Sequence, residues 1–336
     1  MDPVKKPWVS FCMSTYKRPV FLKHTLQSIL AQTFSDFEVI VSDNDPERSA
    51  EIVVKTINDP RVLYFSNTDN LGMIKSFNKS IERSHADFIV MITDDDPVYP
   101  DLLETFYQLT KEFPGYGMYL GGCDWFCTHP DVAKLYKLKI GTNSCLSNEH
   151  ELNYTRAFSS AEFLQSFFTL KLFTHYLWST CMVRRDVLIK SGGVPDYGTP
   201  FLGDYAYLGI VGSHSGCVII NKSLGCQTLH IQNFGRNQNE QIAVAAKNFP
   251  VYVEEHMAKL KEWPVIKEQM LHFVGMWVVS HLSFLYAYFK NTNFKNTEKE
   301  IFRIELMKQY RFKYYLKSRA PFIHDILVKL KRRIKN

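Results

Sequence analysis

Three consecutive aspartates, Asp94, Asp95 and Asp96, follow directly on the unbroken apolar run of residues 88–92. Like charges at this spacing repel one another, by roughly 1 kcal/mol or more per pair near a protein surface, and raise one another's pKa. Mg²⁺ and Mn²⁺ prefer oxygen ligands, and Mg²⁺ commonly joins one or two carboxylates to substrate phosphates. The triplet therefore indicates a divalent metal site. The alternative is an acidic turn in which Asp96 or Asp101 caps the following helix.

Buried strands are expected to position this triplet and the other polar loops. Residues 88–92 show no alternation and are rich in β-branched side chains, which is typical of a strand buried on both faces. Similar runs cover residues 8–13, 37–41 and 61–65, and helical patterns lie between the strands at residues 21–30, 49–57 and 73–84. This repeated alternation predicts βαβ units and a mostly parallel sheet.

Polar residues follow each of these predicted strands. Asp43 follows the second strand, Asp69 the third, and the triplet follows the fourth. Ligands of open α/β sheets bind outside the carboxyl ends of the strands, so we expect these carboxylates to share one rim. The sequence contains no glycine-rich phosphate loop, so a phosphate-bearing ligand would be held through metal and side chains.

The pattern is less regular beyond residue 114. We expect strands at residues 116–120, 132–140 and 177–183, and helices at residues 162–172 and 185–190. Residues 141–154 are predicted to form a polar loop. A further helix is expected to begin near Asp204.

Charge and cysteine content argue against nucleic-acid binding by the body of the protein and in favour of a reducing compartment. The chain of 336 residues carries a net charge of +6, while residues 311–336 alone carry +8, so the preceding residues sum to −2. Nucleic-acid binding is therefore not expected of the body of the protein. The seven cysteines are scattered, which indicates reduced thiols in the cytosol. The apolar run after Lys5 and Lys6 is too short for an export signal, so we expect a cytoplasmic protein.

The ordered combination of these segments resembles the family 2 glycosyltransferases. The similarity is carried by S-T-Y-K-R-P-V-F-L-K-H-T-L-Q-S-I-L, by D-F-E-V-I-V-S-D-N-D, and by N-L-G-M-I-K-S-F-N-K-S-I before H-A-D-F-I-V-M-I-T-D-D-D. It covers residues 8–126 well, residues 177–237 moderately and the rest hardly at all. It implies the GT-A fold, an α/β architecture with a Rossmann-like, mostly parallel central sheet flanked by helices. It also implies inverting, metal-dependent transfer from a nucleotide-sugar.

The resemblance assigns a nucleotide pocket residue by residue. The matching positions are Ser14, Tyr16, Arg18, Asp43, Asn70, Gly72, Lys75 and Asp94. Among them, the resemblance implies that Asp43 hydrogen-bonds uracil and that Asp94 approaches the ribose. Two positions have simple alternatives, since Tyr16 could pack on the following helix and Lys75 could be a solvated helix charge.

The metal site implied by the resemblance departs from the family's usual Asp-x-Asp-Asp, because Thr93 stands where the leading acid is expected. Some members share this departure, and on their pattern Asp95 binds Mn²⁺ or Mg²⁺ with Asp96 as a secondary contact. His230 matches a histidine that approaches the metal or diphosphate, and Arg236 beside it could meet a phosphate oxygen. A structural role for His230 is the alternative.

Asp204 matches the family's general base, although Gly203 replaces the acid that commonly precedes it. An acceptor hydroxyl has a pKa far above neutral, so a carboxylate must take its proton as attack proceeds. The alternative is an N-cap role at the start of a helix, and both roles can hold at once. A single in-line displacement would invert the anomeric centre.

The domain organisation follows from these assignments. We expect a GT-A domain over residues 1–237, with a nucleotide-binding half (1–126) and an acceptor half (127–237), and a helical C-terminal region over residues 238–336. Residues 271–289 are long and apolar but contain His272, Ser280, His281 and Ser283, which favours a buried helix over a membrane span. The basic, amphipathic pattern from residue 322 fits an anionic membrane surface or a partner protein, with a solvated terminus as the alternative.

These features together favour a glycosyltransferase at the cytoplasmic face of the membrane, peripheral to it. The expected donor is a nucleotide-sugar, UDP-linked, and the expected acceptor is a glycan or lipid-linked hydroxyl in surface polysaccharide synthesis. A second hypothesis is a non-catalytic nucleotide-binding or scaffold component of a glycan-assembly complex. A nucleotidyltransferase is disfavoured by the missing triphosphate loop.

Overall fold

The structure, a computed structural model, describes residues 6–136, 138–141, 143–144, 153–231, 233, 240–289, 294–320, 322–323 and 326–327. The chain forms two compact units. The first comprises Met1–Asp196 with Gly203–Ile231, and the second comprises Tyr197–Leu202 with Gln232–Asn336.

The first unit is built on one mixed sheet. Its strands are β1 (Val9–Thr15), β2 (Phe37–Asp43), β3 (Val62–Ser66), β4 (Phe88–Thr93), β5 (Met118–Cys127), β6 (Asn143–Ser144), β7 (Thr155–Phe158), β8 (Cys181–Arg184) and β9 (Cys217–Leu229). Their order is β3-β2-β1-β4-β8-β5-β9-β7, and β6 pairs with β5. Only β8 and β7 run against the shared direction of the other strands on this path. The mostly parallel sheet predicted from the sequence is confirmed.

Helices flank the sheet. In the first unit they are α1 (Pro19–Leu30), α2 (Glu51–Ile57), α3 (Met73–Arg83), α4 (Leu102–Glu112), α5 (Pro130–Tyr136), α6 (Ser160–Phe168), α7 (Arg185–Lys190) and α8 (Gly203–Ser215). Trp178–Thr180 forms a 3-10 turn before β8. Pro19 opens α1, where its fixed φ suits a first helical turn and its missing N–H is not needed.

The parallel register of the buried strands brings their carboxyl ends to one level. Every residue of β1 and β2 is buried, including Ser10 and Glu38, which hydrogen-bond to each other at 2.6 Å. The parallel register pairs Ser14 with Ser42 on one side and with Thr93 on the other. The loops after β1, β2 and β4 therefore leave the sheet at one level, and their polar side chains meet there.

One predicted strand is wrong. Residues 132–140 were expected to alternate as a half-exposed strand, but α5 covers Pro130–Tyr136. Pro130 suits a helix start, and Val132 and Ala133 pack on Cys127 and Leu229 from one face of the helix. The remaining differences are smaller: residues 177–183 divide between the 3-10 turn and β8, and β7 and β9 had not been predicted.

The second unit is helical in the residues described. Its helices are α9 (Gln241–Met257), α10 (Trp263–Phe289), α11 (Phe294–Ile301), α12 (Glu305–Lys308) and α13 (Arg311–Arg319). Val274, Val278 and Leu282 of α10 are fully buried. Within the described ranges, no helix combines the length and the apolar character that crossing a membrane requires. Most of the amphipathic pattern predicted after residue 322 lies outside the described residues.

Candidate functional site

The acidic turn after β4 is held by an arginine and a histidine. Asp94 is fully buried, and its Oδ2 accepts a 2.7 Å hydrogen bond from Thr15 Oγ1 while its Oδ1 contacts the Arg18 guanidinium. Asp95 Oδ2 accepts a 2.7 Å bond from Arg18 Nη1 and lies 3.1 Å from His230 Nε2. The His230 ring in turn stacks on Phe21, with centroids 4.4 Å apart. Sequence reasoning had assigned Arg18 to the nucleotide pocket, and the structure places it against the carboxylates.

Asp96 faces the protein. Its Oδ1 accepts a 2.9 Å bond from the Thr228 amide, and its Oδ2 accepts a 2.8 Å bond from Thr93 Oγ1. These two bonds fasten the acidic turn to β9. Both carboxylate oxygens of Asp96 thus already have hydrogen-bond donors within the protein. Its role as a secondary metal contact stays a prediction.

The three carboxylates differ in protonation. Burial, reinforced by the charge of Asp95, raises the pKa of Asp94 to about 7 and that of Asp96 to about 8. Burial also opposes ionisation of Asp95, but the hydrogen bond from His230 and the Arg18 guanidinium outweigh it and lower the pKa of Asp95. Asp95 is therefore the carboxylate of the triplet that carries a full negative charge at neutral pH.

The donor set fits a divalent ion held by few protein ligands. Asp95 offers a carboxylate oxygen and His230 an imidazole nitrogen, and Mg²⁺ or Mn²⁺ accepts such donors when phosphate oxygens and water complete the shell. In the part of the chain that the structure describes, no three His, Cys, Asp or Glu side chains converge as a metal cage. The residues fit a site that a phosphate-bearing ligand completes, and do not fit an all-protein cage.

Asp43 lies at the end of β2 and is fully buried. Its Oδ1 accepts a 3.0 Å bond from the Asp45 amide, and its Oδ2 accepts bonds from the Ala50 amide at 3.1 Å and the Tyr64 hydroxyl at 2.9 Å. These contacts fix the loop between β2 and α2. Asp43 thus shapes the rim predicted to hold the base.

A polar network joins the next loop to the same rim. Ser14 Oγ donates to Ser76 Oγ at 2.8 Å, which connects β1 to α3. Asn70 Oδ1 accepts from Asn44 Nδ2 at 2.6 Å and from the Gly72 amide at 2.9 Å. Gly72 has φ +79°, a value that side-chain-bearing residues rarely adopt, so its glycine identity is required by the turn before α3.

The remaining predicted residues of this pocket are exposed. The exposed fraction of Tyr16 is 43%, and Lys17 Nζ lies 5.7 Å from the centroid of its ring. Lys75 is exposed on the first turn of α3, and Asp69 is exposed in the loop before it. Arg236 lies outside the described residues. The structure therefore brings the buried polar groups together and leaves Tyr16 and Lys75 at the surface of the same edge.

Asp204 lies in the first turn of α8, one residue after the helix begins. Burial raises the pKa of its carboxyl group to about 6. Its charge also contributes, after burial, to the raised pKa of the Tyr176 and Tyr205 phenols, so these groups are close to it. Trp178 packs between α3 and α8. Its ring centroid lies 5.1 Å from that of Phe77 in α3 and 6.2 Å from that of Tyr207 in α8.

A cleft of about 360 Å³ includes Tyr205, the residue after Asp204, in its wall. It is lined by Leu170, Leu172, Phe173, Thr174, His175, Tyr176 and Tyr205. Within the described residues, His175 Nε2 is buried without a hydrogen-bond partner, and Trp125 packs edge-on against the ring at 5.6 Å. Burial lowers the pKa of His175, so the imidazole is neutral. Sequence reasoning missed this cleft, although a histidine within the aromatic stretch F-T-H-Y-L-W was an available signal.

Comparison with known proteins identifies a family model and several relatives. The model described as Glycosyl transferase family 2 matches residues 10–192. A GalNAc(5)-diNAcBac-PP-undecaprenol beta-1,3-glucosyltransferase from Campylobacter jejuni is 31% identical over 120 residues, which is 35% of this chain and 38% of that protein. The putative colanic acid biosynthesis glycosyl transferase WcaA of Escherichia coli is 30% identical over 102 residues, or 30% of this chain and 37% of that protein. The chain thus spans little more than a third of the length of these curated relatives.

Solved structures share the architecture. Staphylococcus aureus TarS (residues 1–349) in complex with UDP superposes with a TM-score of 0.57 at 13% identity, covering 95% of this chain and 92% of that one. The mannosyltransferase PcManGT of Pyrobaculum calidifontis, in complex with GDP-Man and Mn²⁺, gives a TM-score of 0.52 at 14% identity, covering 96% and 89%. At these identities the likeness concerns the fold alone, and it confirms the predicted fold class.

Proposed function

Because the chain belongs to glycosyl transferase family 2, we propose that it transfers a sugar from a UDP-linked donor to an acceptor hydroxyl, with inversion at the anomeric carbon. The observation that carries the proposal is the position of Asp95. Its ionised carboxylate lies between Arg18 and His230, at the edge of the sheet where Asp43 shapes the neighbouring loop. That edge offers metal-binding and cationic groups to a diphosphate and a polar rim to a nucleoside.

The residues of the acidic turn suit the binding of a donor diphosphate. Asp95 and His230 would hold Mn²⁺ or Mg²⁺, which when bound offsets the negative charge that the leaving diphosphate gains. Arg18 supplies a guanidinium, whose planar donors match phosphate oxygens. The complexes of TarS with UDP and UDP-GlcNAc support a uridine donor by analogy.

Asp204 is proposed as the group that takes the proton from the acceptor hydroxyl. A carboxyl group with a pKa of about 6 is ionised at neutral pH, and it is a stronger base than an ordinary aspartate. The hydroxyl oxygen attacks the anomeric carbon from the side opposite the diphosphate, the carbon–oxygen bond to the diphosphate breaks, and the proton passes to Asp204.

The acceptor is proposed to occupy the cleft beside Asp204. Its aromatic walls offer apolar faces, and the buried Nε2 of His175 needs a hydrogen-bond partner that a hydroxyl group can supply. The names of the Campylobacter and Escherichia relatives support a lipid-linked or polysaccharide acceptor. We further propose that the protein acts at the cytoplasmic face of a membrane, where such acceptors are presented.

Replacement of His175 by Ala should weaken acceptor binding and leave the donor site unchanged. Loss of one hydrogen bond costs about 1 kcal/mol, so we expect KM for an octyl glycoside acceptor to rise about fivefold to tenfold while KM for the donor stays constant. Steady-state kinetics with each substrate varied measures both constants. His24→Ala, on the exposed face of α1, is the control. An equal rise in both KM values would contradict the assignment of the cleft.

A panel of UDP-, GDP- and dTDP-sugars tests the proposed reaction as a whole. We expect Mn²⁺-dependent turnover of a UDP-sugar, measured as release of UDP with octyl glycosides as acceptors, and its loss in EDTA. Turnover of another nucleotide-sugar would contradict the uridine assignment alone. If the folded protein bound UDP but turned over no donor in the panel, the non-catalytic scaffold hypothesis would replace the proposed function.

A further inference from the structure

A basic cleft of about 370 Å³ lies in the second unit, between α13 and α11 with the two residues that follow α11. The described residues that line it are Glu298, Lys299, Phe302, Arg303, Arg311, Tyr315 and Arg319. Four of these side chains are cationic and one is acidic. We propose that this α11–α13 cleft binds the phosphate groups of an anionic lipid surface.

The single acid of the cleft is already engaged. Glu298 is buried, accepts a hydrogen bond from the Tyr314 hydroxyl, and lies 3.6 Å from Arg319 Nη2. In the portion of the chain that is described, Lys299, Arg303 and Arg311 form no ion pair. The cleft therefore has an excess of positive charge that its own carboxylate does not cancel.

The arginines are held in place by an aromatic ring. The guanidinium carbon of Arg319 lies 4.8 Å from the centroid of the Tyr315 ring, and that of Arg311 lies 5.8 Å from the same centroid. Stacking of this kind restricts the side chains before a ligand arrives. Arginine guanidinium groups bind phosphate oxygens through two parallel hydrogen bonds, so the chemistry of the cleft matches a phosphate ester.

Exposed aromatic side chains close in sequence to lining residues of the cleft favour a lipid source of that phosphate. Phe312 follows Arg311 and is 77% exposed, and Phe322, just after α13, is 76% exposed. Cationic side chains interleaved with exposed aromatic residues are typical of elements that lie in a membrane interface. A free phosphate ion would match the charge but would leave these rings in water.

Binding of the full-length protein to vesicles tests this inference, and it requires no donor or acceptor sugar. The wild type is expected to sediment with phosphatidylcholine vesicles that contain 30% phosphatidylglycerol and to remain unbound with pure phosphatidylcholine. Each basic residue near such a surface contributes about 1 kcal/mol, so loss of the two positive charges should lower the partition coefficient about thirtyfold, and the added negative charges of R303E/R311E should lower it further. Circular dichroism and thermal melting establish that the variant is folded, and R303Q/R311Q replaces it if it is not.

The matched control is K259E/K261E, which makes the same change of net charge at two exposed lysines between α9 and α10. It should bind within about twofold of the wild type, and Phe312→Ser should weaken binding without any change of charge. An equal loss in both charge-reversal variants would overturn the proposal. So would wild-type protein that binds inorganic phosphate through Arg303 and Arg311, detected by thermal shift, but does not bind the anionic vesicles.

Discussion

Asn in place of Asp95 is expected to lower kcat/KM for sugar transfer roughly 10²- to 10³-fold, the range measured when one electrostatic group of an active site is removed. The substitution removes the ionised carboxylate that holds Arg18 and His230. It should also weaken UDP binding in the presence of Mn²⁺, and have a smaller effect in EDTA. Initial rates and isothermal titration calorimetry, each with and without metal, measure these effects.

The control for this variant is Asp87→Asn, because Asp87 lies just before β4 and Asp95 lies just after it. Asp87 is exposed and pairs with Lys6, so its replacement should leave the rate within about twofold. If the Asp95 variant kept both its rate and its sensitivity to EDTA, the acidic turn would not be the diphosphate site.

Replacement of Asp204 by Asn is expected to reduce kcat by about 10²- to 10⁴-fold, the contribution typical of a positioned general base. Donor affinity should be unchanged, since the charge of Asp204 acts on the Tyr176 and Tyr205 phenols, whereas the acidic turn is held by Arg18, His230 and Thr228. Single-turnover rates and equilibrium binding of UDP separate the two quantities. Asp131→Asn is the matched control, because Asp131 is the second residue of α5, as Asp204 is of α8, and is exposed.

The same carboxyl group predicts a pH dependence. With a pKa raised to about 6, Asp204 is protonated below pH 6 and cannot accept a proton, so kcat should rise with pH through that value and then level off. The residual rate of the Asn variant should lack this limb. An unchanged kcat in the variant, or a limb that persists in it, would exclude Asp204 as the base.

The strands that carry the acidic turn and Asp43 could be predicted from the sequence because buried strands have a recognisable apolar composition. Residues 88–92 are apolar at every position, and their short length and β-branched residues favour a strand covered on both faces over a buried helix. Once the strands are parallel, their register brings Asp43 and the acidic turn to one edge without further information.

The partners within that edge could not be predicted in the same way. Arg18 reaches Asp94 and Asp95 through a long side chain, and its direction depends on how α1 packs on the sheet. Thr228 lies in β9, and His230 is the residue after that strand. β9 is hard to recognise in the sequence because Asn221, Lys222 and Gly225 interrupt its apolar pattern.

The cleft proposed to bind the acceptor could not be predicted for a related reason. Its walls come from residues 170–176 and from Tyr205, which no periodic pattern connects.

The strand predicted at residues 132–140 was wrong because two signals in the sequence disagreed. The alternation of apolar and polar residues favoured a strand, whereas Pro130 suits the start of a helix. Packing of this segment on Cys127 and Leu229 stabilises the helix.

The position of Arg18 gives the acidic turn its own internal counter-ion. The guanidinium bridges the buried carboxyl groups of Asp94 and Asp95, so the turn contains a cation that the protein itself supplies. A divalent ion held by Asp95 and His230, as proposed, would supply a second counter-ion to the same carboxylates. The Arg18 guanidinium could then turn to phosphate oxygens, so that loading of a donor would exchange one counter-ion of the turn for another.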